Sequence, residues 1–228
     1  MPETTFHPLT PDRWDDLVAL FETDSMTRNC WCMVTRLSGA ELREFKGPQR
    51  RQMFQQLVSQ GKKDGAAPGI LAYQDGKPVG WLAVAPRSMT PDWNKGRKSS
   101  AVEAEADAAD PACWGASCFF VRSGHRKQGL TAEMLDAGIE LARKGGATRL
   151  EACPMNDEDK RSPVGMCVGP KRIFERAGFE TVLERKAGRP LMRLELKGAA
   201  RPKPTAAPKA KNAAKPAAKP KPATRKSR

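Results

Sequence analysis

The residues that could do chemistry concentrate in one stretch, CFFVRSGHRKQGLTAEMLDAGIELAR, from Cys118 to Arg143. An apolar run of strand type gives way within a few residues to an amphipathic helix. The turn between them holds Arg126, Lys127, Gln128 and Gly129 and no acidic residue. A helix start leaves backbone N–H groups without acceptors and carries partial positive charge. Gly129 lets a ligand approach the backbone closely, and Arg126 and Lys127 add charge beside those amides. The chemistry this suits is phosphate binding at a strand-to-helix turn. The spacing is neither the Gly-x-Gly-x-x-Gly dinucleotide fingerprint nor a loop ending in Gly-Lys-Ser/Thr. His125, beside this cradle, is read as a turn residue pointing to solvent.

A second group is NCWCM, which carries Cys30, Trp31, Cys32 and Met33. The chain has six cysteines, at 30, 32, 113, 118, 153 and 167, and two histidines, His7 and His125. No Cys-x-x-Cys pair exists, and one residue between Cys30 and Cys32 is unlike zinc-finger spacing. No metal site is expected; the thiols are read as packing or pocket-lining groups.

The elements that must position these residues are legible in outline. TFHPL reads as a first strand. Trp14, Leu17, Val18 and Phe21 recur at helical spacing after Thr10-Pro11-Asp12, a helix start. Residues 25–37 read as irregular. Ser38 and Glu41 have capping-box spacing and open a helix with Leu42 and Phe45 inward, interrupted near Gly47-Pro48. A second helical piece buries Met53, Phe54, Leu57 and Val58. GILAYQDGKPVGWLAVAPR is two strands around Asp75-Gly76, a hairpin signal. Residues 88–112 form a long connection with Trp93, Arg97, Lys98, Glu103 and Glu105. CWGASCFFV and TRLEAC are strands joined by the helix of the opening stretch, which implies that they run parallel. A short helix over Ile173 to Ala177 stops at Gly178, and FETVLERK and RPLMRLEL close the chain as an antiparallel hairpin.

Length and charge bound the rest. The 228 residues allow one ordinary domain, 1–196, plus a basic Ala/Pro/Lys-rich tail, 197–228. The formal charge of +14 is uneven: the tail holds eleven of the 40 Lys and Arg and none of the 26 acids, leaving the first 196 residues near neutral. Whole-chain basicity therefore does not make the folded part a nucleic-acid binder. The tail has nothing to bury in a core and is expected to be disordered, either solvated or in weak contact with polyanions. No signal peptide and no apolar run of about 20 residues is visible, so a cytoplasmic protein with reduced thiols and no membrane contact is expected.

Arg126-Lys127-Gln128-Gly129-Leu130-Thr131 resembles the Gln/Arg-x-x-Gly-x-Gly/Ala motif of the GNAT N-acetyltransferase superfamily. IFERAGF, Ile173 to Phe179, resembles that family's later Tyr-x-x-x-Gly-Phe element. The resemblance covers about Thr5 to Leu196 in order of elements, with specific motifs in 118–179. It implies an α/β (α+β) fold: a mixed, mostly antiparallel twisted sheet with a central parallel pair splayed around acetyl-CoA, and helices on both faces. It implies acetyl-CoA as acyl donor, with its pyrophosphate on the amides of Gln128, Gly129, Leu130 and Thr131 and with Arg126 and Lys127 nearby. The pantetheine arm is expected beside Phe119, Phe120 and Val121, like an added strand. Cys30, Trp31, Cys32 and Met33 would wall the acceptor pocket, or else simply pack the core.

Two departures bear on mechanism. Thr131 stands where the family prefers Gly or Ala. Phe174 stands where many members have a general-acid tyrosine, and the only tyrosine, Tyr73, is read as structural. Glu151, Glu103 and Glu105 are weak candidates for the base, and the catalytic residues stay unassigned. Asn156 follows the second parallel strand, where some members hold the cofactor. The favoured function is acetyl transfer to a primary amine, on a small molecule or a protein, by a monomer or homodimer. The alternatives are a catalytically weak coenzyme A-binding regulatory module and a nucleic-acid-associated protein using the tail.

Overall fold

The computed structural model describes residues 3–64, 66–93, 110–156, 167–184 and 187–196. Glu103, Glu105, Arg97, Lys98 and the tail 197–228 lie outside them. Seven strands form one sheet in the order β1-β2-β3-β4-β5-β7-β6. They are β1 (Thr4–Pro8), β2 (Ile70–Gln74), β3 (Lys77–Pro86), β4 (Cys113–Val121), β5 (Arg149–Ala152), β6 (Glu180–Leu183) and β7 (Leu191–Glu195). Only β4 and β5 run parallel; the other pairs are antiparallel. A helix crosses between the two parallel strands: α5 (Leu130–Lys144). The mixed, mostly antiparallel sheet with a central parallel pair matches the expected fold class.

Both faces of the sheet are covered. β2 is buried along its whole length, and its side chains divide by alternation. Ile70 and Ala72 join Leu82, Val84, Trp114, Ala116 and Phe119 beneath α5 and the short α6 (Lys171–Arg176). Leu71 and Tyr73 join Trp81, Ala83 and Phe120 on the other face. There they meet α1 (Trp14–Phe21), which buries Trp14, Leu17, Leu20 and Phe21, each worth about 1.5–3 kcal/mol relative to exposure. α4 (Gly47–Asp64) adds Phe54 and Val58 to that face.

Local chemistry explains the turns. Asp75 and Gly76 both take positive φ, 49° and 71°, the geometry of a two-residue hairpin whose twist matches the strands. Ser38 and Glu41 form the expected reciprocal capping box at the start of α3 (Gly39–Glu44). Residues 25–37 are less irregular than their sequence suggests: Ser25–Cys30 is a helix, α2, capped by Asp24, whose Oδ1 accepts the Met26 N–H at 2.8 Å. α2 buries only Thr27, so it has no apolar stripe from which a period could be read. It ends on two successive left-handed residues, Trp31 (φ 47°) and Cys32 (φ 54°).

The feature that positions the site lies at the centre of the sheet. β4 pairs with β5 only from Cys113 to Ala116, opposite Arg149 to Ala152. It continues to Val121 paired with β3 alone, past a bulge at Ser117 between the Ala83–Cys118 and Val84–Ala116 pairs. Beyond Ala116 the two parallel strands part.

Candidate functional site

The strand-to-helix turn that the sequence implies leads from β4 into α5. A 3-10 turn over Ser123–His125 leads to Lys127 and Gly129, both left-handed with φ 63° and 87°. A Cβ at position 129 would meet nothing within 4 Å except Glu133 Oε1 at 3.9 Å. The space beside Gly129 is therefore open, and Arg126, Lys127, Gln128 and Gly129 are exposed. Arg126 Nε donates to the Val121 carbonyl at 2.8 Å, and Gln128 Nε2 to the Gly124 carbonyl at 3.2 Å. Two expectations shift. The turn lacks acids, yet Glu133 stands in the first turn of α5 and lowers the local positive potential. His125 is held rather than solvated: its Nδ1 lies 2.7 Å from Gln74 Oε1 at the end of β2, tying the cradle to the hairpin.

Strand β4 leaves Phe119 and Val121 on the edge that faces away from β3. Both polar groups there are taken by the chain itself. The Val121 carbonyl accepts from Arg126, and the Phe119 N–H donates to the Cys167 carbonyl. Residues 167–171 reach across the gap, since the Met155 N–H donates to the Gly169 carbonyl at 3.1 Å and the Lys171 N–H to the Met155 carbonyl at 2.8 Å. A parallel bridge joins Met155 to Pro170. The place expected for an added strand of ligand is thus bridged by protein. Phe119 itself turns toward α6 and meets Phe174 edge-on at 6.0 Å, while Phe120 packs against Phe21 on the other face. Leu130 is buried beneath the cradle and Thr131 is half-buried. Asn156 donates its N–H to the Gly188 carbonyl at 3.1 Å, and its buried Oδ1 has no partner among the described residues.

On the α1–α4 face a cavity of about 540 Å³ opens against this edge. Its wall includes Phe21, Met26, Trp81, Trp93, Phe119 and Phe120 together with the thiols of Cys30, Cys32, Cys118 and Cys167. Of the NCWCM residues, Cys30 and Cys32 line it. Trp31 and Met33 do not: Trp31 stacks on Trp14 at 5.9 Å, and both are buried in the core. The left-handed turn at Trp31 and Cys32 turns these neighbours apart, so Cys30 and Cys32 face the cavity while Trp31 and Met33 pack the core. The bulge at Ser117 turns both Ser117 and Cys118 into the wall. Ser117 Oγ is buried and has no partner among the described residues. Asp92 and Arg189 are the charged side chains of the wall among the described residues. Asp92 is anchored by the Asp92 and Trp93 N–H groups, which both donate to the Thr35 carbonyl.

The sequence offered Cys118 and Cys167 as pocket-lining thiols without placing them together, and nothing in it singled out Ser117, Trp81, Asp92 or Arg189. They converge only because a bulge, a crossing segment and a loop meet at the splay.

Glu151, a candidate base, Phe174, at the position of the family's tyrosine, and Tyr73, read as structural, all lie outside the cavity wall. Glu151 is 0% exposed and is spent on two arginines: its Oε2 accepts from Arg87 at 2.6 Å, and its Oε1 from Arg193 Nε at 2.9 Å and Nη2 at 2.6 Å. Arg87, equally buried, lies 5.3 Å beneath the Trp93 ring. Glu151 therefore sits behind the cavity wall as the centre of a buried ion cluster, out of reach of a substrate. Phe174 is fully buried against Phe119 and Phe179 and does not line the cavity. Tyr73 donates to Asp16 Oδ2 at 2.7 Å, on the α1 side of the hairpin. Burial and the Asp16 carboxylate raise its pKa far above the ordinary phenol value, the wrong direction for a proton donor.

Among the described residues no group of three or more His, Cys, Asp or Glu side chains could hold a metal ion, and no helix is long and apolar enough to cross a membrane. The chain matches the acetyltransferase (GNAT) family over residues 31–179. No curated protein matches it. Among solved structures it is similar to the ribosomal-protein-S5-alanine acetyltransferase of Vibrio fischeri, with TM-score 0.51 and 12% identity over 88% of this chain and 97% of that one. It is similar also to the PaiA N-acetyltransferase of Thermoplasma acidophilum, solved with coenzyme A, with TM-score 0.50 and 9% identity over 85% and 99% of the two chains. At these identities the likeness is one of fold. The family match runs from the turn at Trp31 through the cradle to Phe179, and on it the chain belongs to the GNAT acetyltransferase family and is an acyltransferase.

Proposed function

We propose that the protein moves an acetyl group from acetyl-CoA to the primary amine of a compact, largely apolar acceptor, by direct attack in a ternary complex. The observation that carries this reading is the parting of β4 from β5 beyond Ala116, beside the open helix start at Gly129. The family supports it, as does the coenzyme A held by the Thermoplasma structure.

The amides of Gln128 to Thr131 would hold the pyrophosphate, with Arg126 and Lys127 supplying charge, and the edge of Phe119–Val121 would hold the pantetheine arm. When bound, acetyl-CoA supplies an activated acyl group whose thiolate is a fair leaving group. The Phe119 N–H, once released by the Cys167 carbonyl, is the backbone donor placed to stabilise negative charge on an acyl oxygen. Trp81, Trp93, Phe21 and Phe120 exclude water and suit an aromatic or aliphatic acceptor body. Ser117 Oγ offers that body one hydroxyl. Asp92 is the carboxylate of the cavity wall among the described residues, and it takes the proton that the amine must lose. With Phe174 buried and Tyr73 remote, the leaving thiolate takes its proton from solvent.

A panel of amines assayed by free-thiol release tests this. Apolar primary amines should turn over, and Asp92→Asn should lower kcat by about 10²-fold or more with acetyl-CoA affinity kept. Turnover of polycationic amines alone, or an Asp92→Asn enzyme with an unaltered pH–rate profile, would overturn the acceptor and base assignments.

A further inference from the structure

We propose that Cys118 and Cys167 form a reversible disulfide, a modification site for small-molecule disulfides that fastens residues 167–170 across the edge of β4. The site stands on four observations. First, the thiols of Cys118, Cys167 and Cys32 all line the wall of the one cavity, and their mutual interaction pushes the Cys118 thiol up. Second, the hydrogen bond from the Phe119 N–H to the Cys167 carbonyl brings the backbone next to Cys118 against that of Cys167, the close approach that a disulfide, with its Cα atoms about 4.4–6.8 Å apart, requires.

Third, the alternative partner is immobilised. Cys32 is buried, sits at φ 54°, and its Sγ accepts the Trp81 indole N–H at 3.1 Å. Cys167, by contrast, is half-buried, with its Sγ 3.8 Å from Met26 Sδ. Fourth, the interaction with Cys118, with Arg126 helping, lowers the pKa of Cys167; the Cys32 thiol is lowered too but is buried, so the half-buried Cys167 is the thiol that an incoming disulfide reaches.

The exchange balances with one disulfide, RSSR, as oxidant. The Cys167 thiolate attacks one sulfur and expels RS⁻, which takes up the proton Cys167 lost. Cys118 then gives up its proton, attacks the Cys167 sulfur of the mixed disulfide and expels the second RS⁻. Two protein thiols are oxidised and RSSR is reduced to two RSH. In the closed form the Cys167 carbonyl cannot leave the Phe119 N–H, and the bridging segment stays between β4 and Met155. The effect on the donor rests on the function proposed above; the disulfide itself does not.

Full-length protein is incubated with glutathione disulfide, digested without reduction and mapped by mass spectrometry, with acetyl-CoA affinity measured by calorimetry before, after and on re-reduction with dithiothreitol. The expected result is a Cys118–Cys167 linked peptide and affinity at least about tenfold weaker, restored by reduction. Cys167→Ser should show the same affinity with and without oxidant. No oxidation, a Cys32–Cys118 link, or glutathione left on Cys167 without closure would overturn the site. A Cys118–Cys167 link that leaves affinity unchanged would overturn its effect. Failure of the reduced protein to bind acetyl-CoA would sink the donor assignment instead, and the mapping would still decide the disulfide.

Discussion

Gly129 is the residue on which the donor site most depends. At φ 87° it holds a conformation that costs other residues about 1–2 kcal/mol, and it presents backbone to open space. Gly129→Glu should add strain, bulk and a second negative charge beside Glu133, lowering acetyl-CoA affinity at least about tenfold in calorimetry. Gly129→Ala separates strain from charge and should lose much less. An unchanged Gly129→Glu affinity in a folded protein would remove the pyrophosphate from this turn. Tyr73 allows a single-site titration, because it is the only tyrosine in the chain. Its near-ultraviolet phenolate signal should appear well above the ordinary midpoint of about 10. The sign for stability follows. Above that pH the unfolded chain has lost the phenol proton and the folded chain has kept it, so stability falls as pH rises. Tyr73→Phe should abolish that part of the alkaline loss of Tm, and a phenol titrating near its ordinary value would contradict the buried hydrogen bond to Asp16.

At the scale of elements, the Glu151 cluster binds three of them: β5, the 3-10 turn after β3 that carries Arg87, and β7 with Arg193. Removing one partner of a buried ion pair leaves an uncompensated charge, at a cost of about 3–5 kcal/mol. Glu151→Gln should therefore lower Tm strongly while turnover per folded molecule, measured well below Tm, stays near that of the wild type. A large loss of kcat in a protein of unchanged Tm would return Glu151 to the role of base. The same cluster backs the cavity, since Trp93 lies over Arg87 and lines the wall.

For the whole molecule, the sheet closes at β7, and Leu196 is buried with its N–H on the Thr148 carbonyl at 2.8 Å. Residues 197–228 contain no large apolar side chain, eleven basic residues and no acid. A chain ending at Lys197 should keep its Tm and its turnover of small amines. It should lose a weak attraction to polyanions that, in the full chain, falls steeply as salt rises. A fall in Tm of more than a few degrees on truncation, measured by calorimetry, would mean that the tail packs on the domain.

Local rules were enough for much of this protein. Left-handed residues had to stand at Asp75-Gly76 and Gly129, Ser38 and Glu41 had to cap a helix, and a helix between two apolar runs had to make them parallel. Each depends on residues close in sequence, so each is legible there. Other features depend on contacts distant along the chain. Glu151 looked like a base because a strand carboxylate has the right chemistry; Arg87 and Arg193, 64 and 42 residues away, decided otherwise. Trp31 and Met33 could wall a pocket or pack the core, and two left-handed residues in the turn decided for the core. The meeting of Cys118, Cys167 and Cys32 needed a bulge in one strand and a segment crossing the gap between two others. No spacing in the sequence encodes that, because side-chain convergence is set by how the layers pack, and packing is a property of the whole fold.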